Sequence, residues 1–125
     1  MNEMRRSLKP AIFVASSLRD LQSLPQAARR EIGQALYVAQ RGDFPDSAKP
    51  LKGFGSGVFE IRSNFDGDTY RAVYTVRFED TLYVLHTFQK KSTRGIGTPQ
   101  RHLDLIRQRL RQAEAIHKTR KEPGS

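Results

Sequence analysis

Strand-like alternation puts Arg71, Val73, Thr75 and Arg77 on one side of the run Tyr70–Phe78, and Tyr70, Ala72, Tyr74, Val76 and Phe78 on the other. In the run before it, Val58–Ser63, the residues Val58, Glu60 and Arg62 share one face and Phe59 and Ile61 the opposite one. Together the two runs form one apolar face and one half-polar face that carries Arg62, Arg71 and Arg77. A guanidinium grips phosphate oxygens through a bidentate fork, and several together offset negative charge. The same pattern also fits solvent-facing arginines paired with Glu60, and alternation alone does not choose between the two. A third run, Leu82–Gln89, leads into Lys90-Lys91-Ser92-Thr93-Arg94. A lysine pair followed by hydroxyls and an arginine fits a phosphate-holding edge as well as it fits a charged loop tip.

Other chemistry is poorly supported. The chain has 3 histidines and no cysteine, so a zinc site and thiolate chemistry are not expected. No cofactor is implied. His86 lies mid-strand, on a face with Leu82, Val84 and Phe88, and reads as a satisfied core residue. His102 falls early in a helix, and His117 near the tail carries no assignment. Asp66 and Asp68 flank Gly67 and suit a turn better than a carboxylate pair. The loop Lys49–Gly57 is rich in glycine and carries Lys52, but it lacks the Gly-x-x-x-x-Gly-Lys-Ser/Thr string of a phosphate loop.

These residues need a frame. Ala11–Ala15 reads as a first strand, and Ser17-Leu18-Arg19-Asp20 as a short helix start. Ser23-Leu24-Pro25-Gln26 opens a second helix, with Ala28, Ile32, Ala35, Leu36 and Ala39 as its apolar stripe and Arg41-Gly42 at its end. Residues 43–57 read as loop. Asp66-Gly67 and Glu79-Asp80 link the three middle strands as an antiparallel meander. Thr98-Pro99 opens a last helix with Leu103, Ile106, Leu110 and Ala113 inward, and Arg101, Arg107, Arg109 and Arg111 mostly off that stripe. The expected class is α+β: a mostly antiparallel sheet of about four strands, two N-terminal helices and a C-terminal helix. The helices should cover the apolar face and leave the basic face open. Residues 1–9 read as a flexible leader, 10–117 as a single domain and 118–125 as a disordered basic tail.

Charge points the same way. With 22 Lys+Arg against 13 Asp+Glu the chain carries +9, and residues 90–125 hold ten basic and three acidic residues. A polyanion partner fits, and so does a solubilising tail. No apolar run approaches a membrane span, so no membrane role is expected.

Four segments stand in order: Lys49-Pro50-Leu51, Gly57–Arg62, Asp66–Tyr74 and Leu85–Ser92. As an ordered set they resemble the HigB-like toxins, the phage-related branch of the RelE/ParE superfamily, from about Ile12 to Ala115. The resemblance implies a RelE-like microbial RNase fold, a cytoplasmic type II toxin and a helix-turn-helix, HigA-like antitoxin. It also implies an endoribonuclease that cuts mRNA at the ribosome by attack of the RNA's own 2′-hydroxyl on the adjacent phosphate. Arg62 and Arg71 would then contact the scissile phosphate, and Lys90 and Lys91 would stabilise charge or hold flanking phosphates. Lys52, Arg77, Arg94 and His102 would bind RNA. Lys52 would serve as a base if neighbouring arginines depressed its pKa. Some relatives place a tyrosine after the last strand as an acid–base group. Here the last tyrosine is Tyr83, inside the strand, so the acid and base stay open, with His102 and Asp104 as candidates. Two alternatives stand beside this: a ParE-like inhibitor of DNA gyrase, and a phage-related RNA-binding module without catalysis.

Overall fold

The apolar stripe from Ala28 to Ala39 winds into a helix because its members recur every three or four residues, and all five are buried. In the computed structural model, which describes residues 8–90 and 97–121, eight elements follow one another. They are β1 (Ala11–Phe13), α1 (Ser17–Gln22), α2 (Gln26–Gln40), β2 (Ala48–Pro50), β3 (Val58–Phe65), β4 (Asp68–Phe78), β5 (Thr81–Lys90) and α3 (Gln100–Lys121). The strands form one sheet in the order β1-β5-β4-β3-β2, with β1 parallel to β5 and the other pairs antiparallel. The class is α+β, as expected. The β3–β4 hairpin turns on Asp66 (φ 54°) and Gly67 (φ 83°), the two left-handed residues that an Asp-Gly hairpin loop demands.

The sheet has five strands rather than about four. The added one, β2, lies within the segment read as loop, where Ala48, Lys49 and Pro50 pair with Ile61, Glu60 and Phe59. Three residues with a proline fit only an edge, which is where β2 sits.

Both sheet faces are covered, and this corrects the expectation of an open basic face. The α2 side buries Ile32, Leu36, Ile61, Ala72 and Tyr74. The opposite side packs Val58, Val73, Tyr83 and Leu85 against Ile106, Leu110 and Ala113 of α3. Val73 and Thr75, fully buried on the face that carries the arginines, provide the apolar floor that α3 needs.

Smaller corrections have local causes. Ser17 does not cap α1: its hydroxyl donates to the Val84 carbonyl, while Ser16 Oγ donates to Asp20. Ser23 donates to the Asp20 carbonyl instead of capping α2, whose N-cap position is Pro25. Thr98 sends its hydroxyl to Glu60. Arg109 is buried although it falls off the apolar stripe, because its guanidinium finds three acceptors there. α3 runs through Lys121, past residue 118 where a disordered tail was expected. Lys9, assigned to a loose leader, exchanges hydrogen bonds with Gln40. Among the described residues no helix is long and apolar enough to cross a membrane.

Candidate functional site

Antiparallel pairing sets Arg62 directly opposite Arg71, and Lys49 opposite Glu60. Glu60 precedes Arg62 by two residues and so shares its face. The three charged groups meet: Arg71 Nη1 donates to Glu60 Oε1 at 2.8 Å and Arg62 Nε to the same oxygen at 3.4 Å. Thr98 Oγ1 donates to Glu60 Oε2 at 3.3 Å. The Glu60 and Arg71 side chains are almost wholly buried, at 5% and 7% exposure, whereas that of Arg62 is 46% exposed. The two arginines therefore converge on one spot, but only Arg62 lies in the open.

An open cleft of about 710 Å³ lies over this spot, with Lys49, Lys52, Arg62, Arg71 and Lys90 on its walls and Glu60 as the acidic lining residue. Pro50, Leu51, Gly97, Thr98 and Leu103 complete it. Burial lowers the Lys90 pKa, the Arg71 and Arg62 charges lower it further, and Glu60 works in the opposite sense. Arg71 Nε is buried without a hydrogen-bond partner. The charge of that guanidinium lies directly under the cleft, where it favours an anionic group. A second depression, of about 540 Å³, lies between α2 and the 43–47 segment and shares Arg62, but its charges are mixed: Glu31, Arg41, Asp43 and Asp46.

Of the residues singled out from sequence, Arg62, Arg71, Lys90 and Lys52 come together in the cleft. Arg77 does not. Its guanidinium donates to the Ser56 and Phe54 carbonyls, fastening the loop that follows Lys52. Arg107 joins it, donating to the Gly53 carbonyl at 3.3 Å with its guanidinium 4.5 Å from the Phe54 ring centre. Lys91 and Arg94 lie outside the described residues. Glu60, Lys49 and Thr98 were not singled out from sequence. Glu60 and Arg62 at alternate positions were a visible signal, but it read as simple neutralisation.

The histidines are arranged differently from the simple strand pattern. In β5 the register passes from Val73↔His86 to Tyr74↔Val84, leaving Leu85 as an extra residue. This bulge resets the alternation, so His86 faces the α3 side with Phe88 while Leu82 and Val84 face α2. His86 Nε2 lies 2.9 Å from His102 Nδ1, and His86 Nδ1 lies 3.2 Å from Arg109 Nη1. His102 stacks on Phe88 with ring centres 4.2 Å apart, and Phe88 is the register partner of Arg71. Burial, then the Arg109 charge, then His102 push the His86 pKa down to about 4, with Asp20 opposing. Burial and then Arg101 lower that of His102. Among the described residues no group of three or more His, Cys, Asp or Glu is placed to hold a metal ion.

A family model described as "Phage derived protein Gp49-like (DUF891)" matches residues 19–111. No curated protein sequence matches the chain. Among solved structures the fold is similar to that of a mutant of the E. coli toxin RelE in the free state, with TM-score 0.51 and 20% identity over 65% of this chain and 82% of that one. A chain of the toxin–antitoxin complex RelBE2 from Mycobacterium tuberculosis aligns with TM-score 0.48 and 24% identity, over 67% of this chain and 100% of that one. At 20% identity the likeness to RelE is one of fold.

Proposed function

Because this chain belongs to the Gp49-like family of phage-derived proteins and has the fold of the RelE toxins, we propose that it is a toxin that cleaves mRNA on the ribosome. The observation that carries the proposal is the cleft itself: Arg62, Arg71, Lys52, Lys49 and Lys90 gather round one carboxylate, and Arg71 keeps a buried N–H without a partner. A phosphodiester oxygen accepts from the half-exposed Arg62 above the buried Arg71 charge, and the lysines hold the phosphates on either side.

The chemistry follows from the charges. Glu60 Oε2, held by Thr98, accepts the proton of the ribose 2′-hydroxyl. The freed 2′-oxygen forms a bond to phosphorus, and Arg62 and Arg71 offset the charge that builds on the phosphorane. The bond from phosphorus to the 5′-oxygen breaks, and that oxygen takes a proton from Lys90, whose lowered pKa makes it a better acid than an ordinary lysine. The products are a 2′,3′-cyclic phosphate and a 5′-hydroxyl. In this mechanism Glu60 takes the role that the sequence had offered to Lys52, His102 or Asp104. Lys91 and Arg94, next along the chain, are assigned to flanking phosphates. The protein acts in the cytoplasm as half of a type II pair, restrained by a helix-turn-helix antitoxin.

The test is a purified translation system with a defined message, its fragment ends mapped. Cleavage is expected at ribosome-bound codons, with 5′-hydroxyl ends, and a 2′-deoxy substitution at the cut site should block it. The exposed Arg62→Ala should keep its fold and lose growth inhibition. An intact message would overturn the proposal. If gyrase supercoiling is blocked while RNA stays whole, the ParE-like alternative replaces it.

A further inference from the structure

Arg109 has no chemistry in the cleft, yet it is buried at 8% exposure in α3 and its guanidinium hydrogen bonds run inward. Nη1 donates to the Leu85 carbonyl at 3.1 Å and to His86 Nδ1 at 3.2 Å. Nη2 donates to Ser16 Oγ at 3.0 Å, which in turn donates to Asp20 Oδ2 at 2.8 Å. A guanidinium has donors only. His86 Nδ1 must therefore be the acceptor and carries no proton, so the His86 proton sits on Nε2. That nitrogen faces His102 Nδ1 at 2.9 Å, which makes His102 Nδ1 an acceptor in its turn. The His102 proton is then on Nε2.

We propose that Arg109 is a positioning residue. Through His86 it fixes His102 as the neutral Nε2–H tautomer and presents it as a hydrogen-bond donor to RNA at the α3 side of the cleft. The placement supports this. His102 is not itself a lining residue, but it precedes the cleft residue Leu103 in the sequence and stacks on Phe88, the register partner of Arg71. The two ring nitrogens point to nearly opposite sides of an imidazole. With Nδ1 committed to the buried His86, Nε2–H of the half-buried His102 is directed away from the core. A proton can join neither ring without breaking the relay, because each Nδ1 already accepts a hydrogen bond. The charged groups around the pair are Arg109 and Arg101 of α3 and Asp20 of α1. The RNA half of the proposal rests on the nucleic-acid reading of the cleft, and the tautomer half does not.

Long-range ¹H–¹⁵N NMR of the intact protein, labelled at histidine, tests the relay. Both His86 and His102 should show a bare Nδ1 and a protonated Nε2 at pH 7, and His86 should keep that pattern well below pH 6.5. A proton on His86 Nδ1, or a charged His102 at pH 7, would overturn the relay. Arg109→Met removes the donor, and His86→Phe cuts the chain while keeping a ring. In whichever variant folds, His102 should become a tautomer mixture, with its Nδ1 no longer reserved as an acceptor. The wild-type spectrum decides the relay even if both variants misfold.

RNA contact is read separately, by affinity for a short single-stranded oligonucleotide. His102→Ala should weaken binding about tenfold and His102→Gln, which keeps an N–H near the Nε2 position, by no more than about twofold. Equal affinity in all three would remove His102 as a ligand. If the oligonucleotide does not bind wild type at all, the RNA reading of the cleft falls while the relay stands.

Discussion

At the scale of single residues the centre of the molecule is a buried ion pair. Glu60 and Arg71 cost desolvation, and the 2.8 Å contact between them recovers part of it. Removing one partner leaves a bare charge inside. Glu60→Ala should therefore cost about 3–5 kcal/mol in urea unfolding, which would mask any effect on activity. Glu60→Gln is the informative change, since its amide oxygen still accepts from Arg71 while it no longer takes up a proton. We expect folded protein that binds RNA at least as tightly as wild type, because the cleft has lost its negative charge, and cuts it about 10²- to 10⁴-fold more slowly. Wild-type cleavage by this variant would show that Glu60 is not the base. The arginines were legible because strand alternation places Arg62 and Arg71 on one face. The role of Glu60 was not, because period-two patterning does not say whether a carboxylate between cations neutralises them or faces a cavity with them. Nor does it show that burial and then the Arg71 charge lower the Lys90 pKa.

At the scale of elements, three features were hidden for three different reasons. β2 is too short and too rich in Lys and Pro to stand out among the glycines that follow it. The β5 bulge shifts phase by one residue at Leu85, and no composition marks such a shift, so His86 was placed on the wrong face. Arg77 shares a face with Arg71 by alternation, but six residues along a strand put it about 20 Å away, at the loop it fastens. That fastening is testable. A methyl group added at Gly57, where φ is +85°, would meet Arg77 Cγ at 2.8 Å, whereas one added at Gly67, where φ is +83°, meets nothing within 4 Å. Both alanine variants carry left-handed strain of about 1–2 kcal/mol. Gly57→Ala should therefore lose about 1–3 kcal/mol more than Gly67→Ala, as overpacking does. Combining it with Arg77→Ala should be less than additive, since the second change removes the clashing atom. Equal losses at Gly57 and Gly67 in urea titrations would show that the loop yields freely, and that Arg77 does not hold Lys52 in place.

For the molecule as a whole, two global measurements report the site. The first is acid stability. The folded chain holds the His86 pKa at about 4, against about 6.5 for a free histidine. Between those values the unfolded chain binds the extra proton, so stability is full above about pH 6.5, falls as the pH drops towards 4 and levels off below it. The loss should approach about 3 kcal/mol, and His86→Phe should flatten that part of the curve. The second measurement is salt. A net +9 was plain from composition, but composition did not say whether the charge forms a surface or a tail. Part of it proves to be internal bracing: Arg77 and Arg107 hold a loop, Arg109 holds His86 and through it His102, and Arg71 holds Glu60. The cations that the proposed site offers to RNA are those of the cleft wall, Lys49, Lys52, Arg62 and Lys90, with Arg71 buried beneath them. Each phosphate neutralised on a single strand contributes about −0.7 to the slope of log K against log salt. About four contacts give a slope near −3, well short of what nine free charges would produce. Lys52→Ala and Arg62→Ala should each make the slope shallower by about 0.7, whereas Arg107→Ala should leave it unchanged, because that charge is spent on Gly53 and Phe54 and not on the nucleic acid. A slope near −6 that falls equally for all three variants would mean that the whole basic surface binds RNA and the cleft has no privileged part in it.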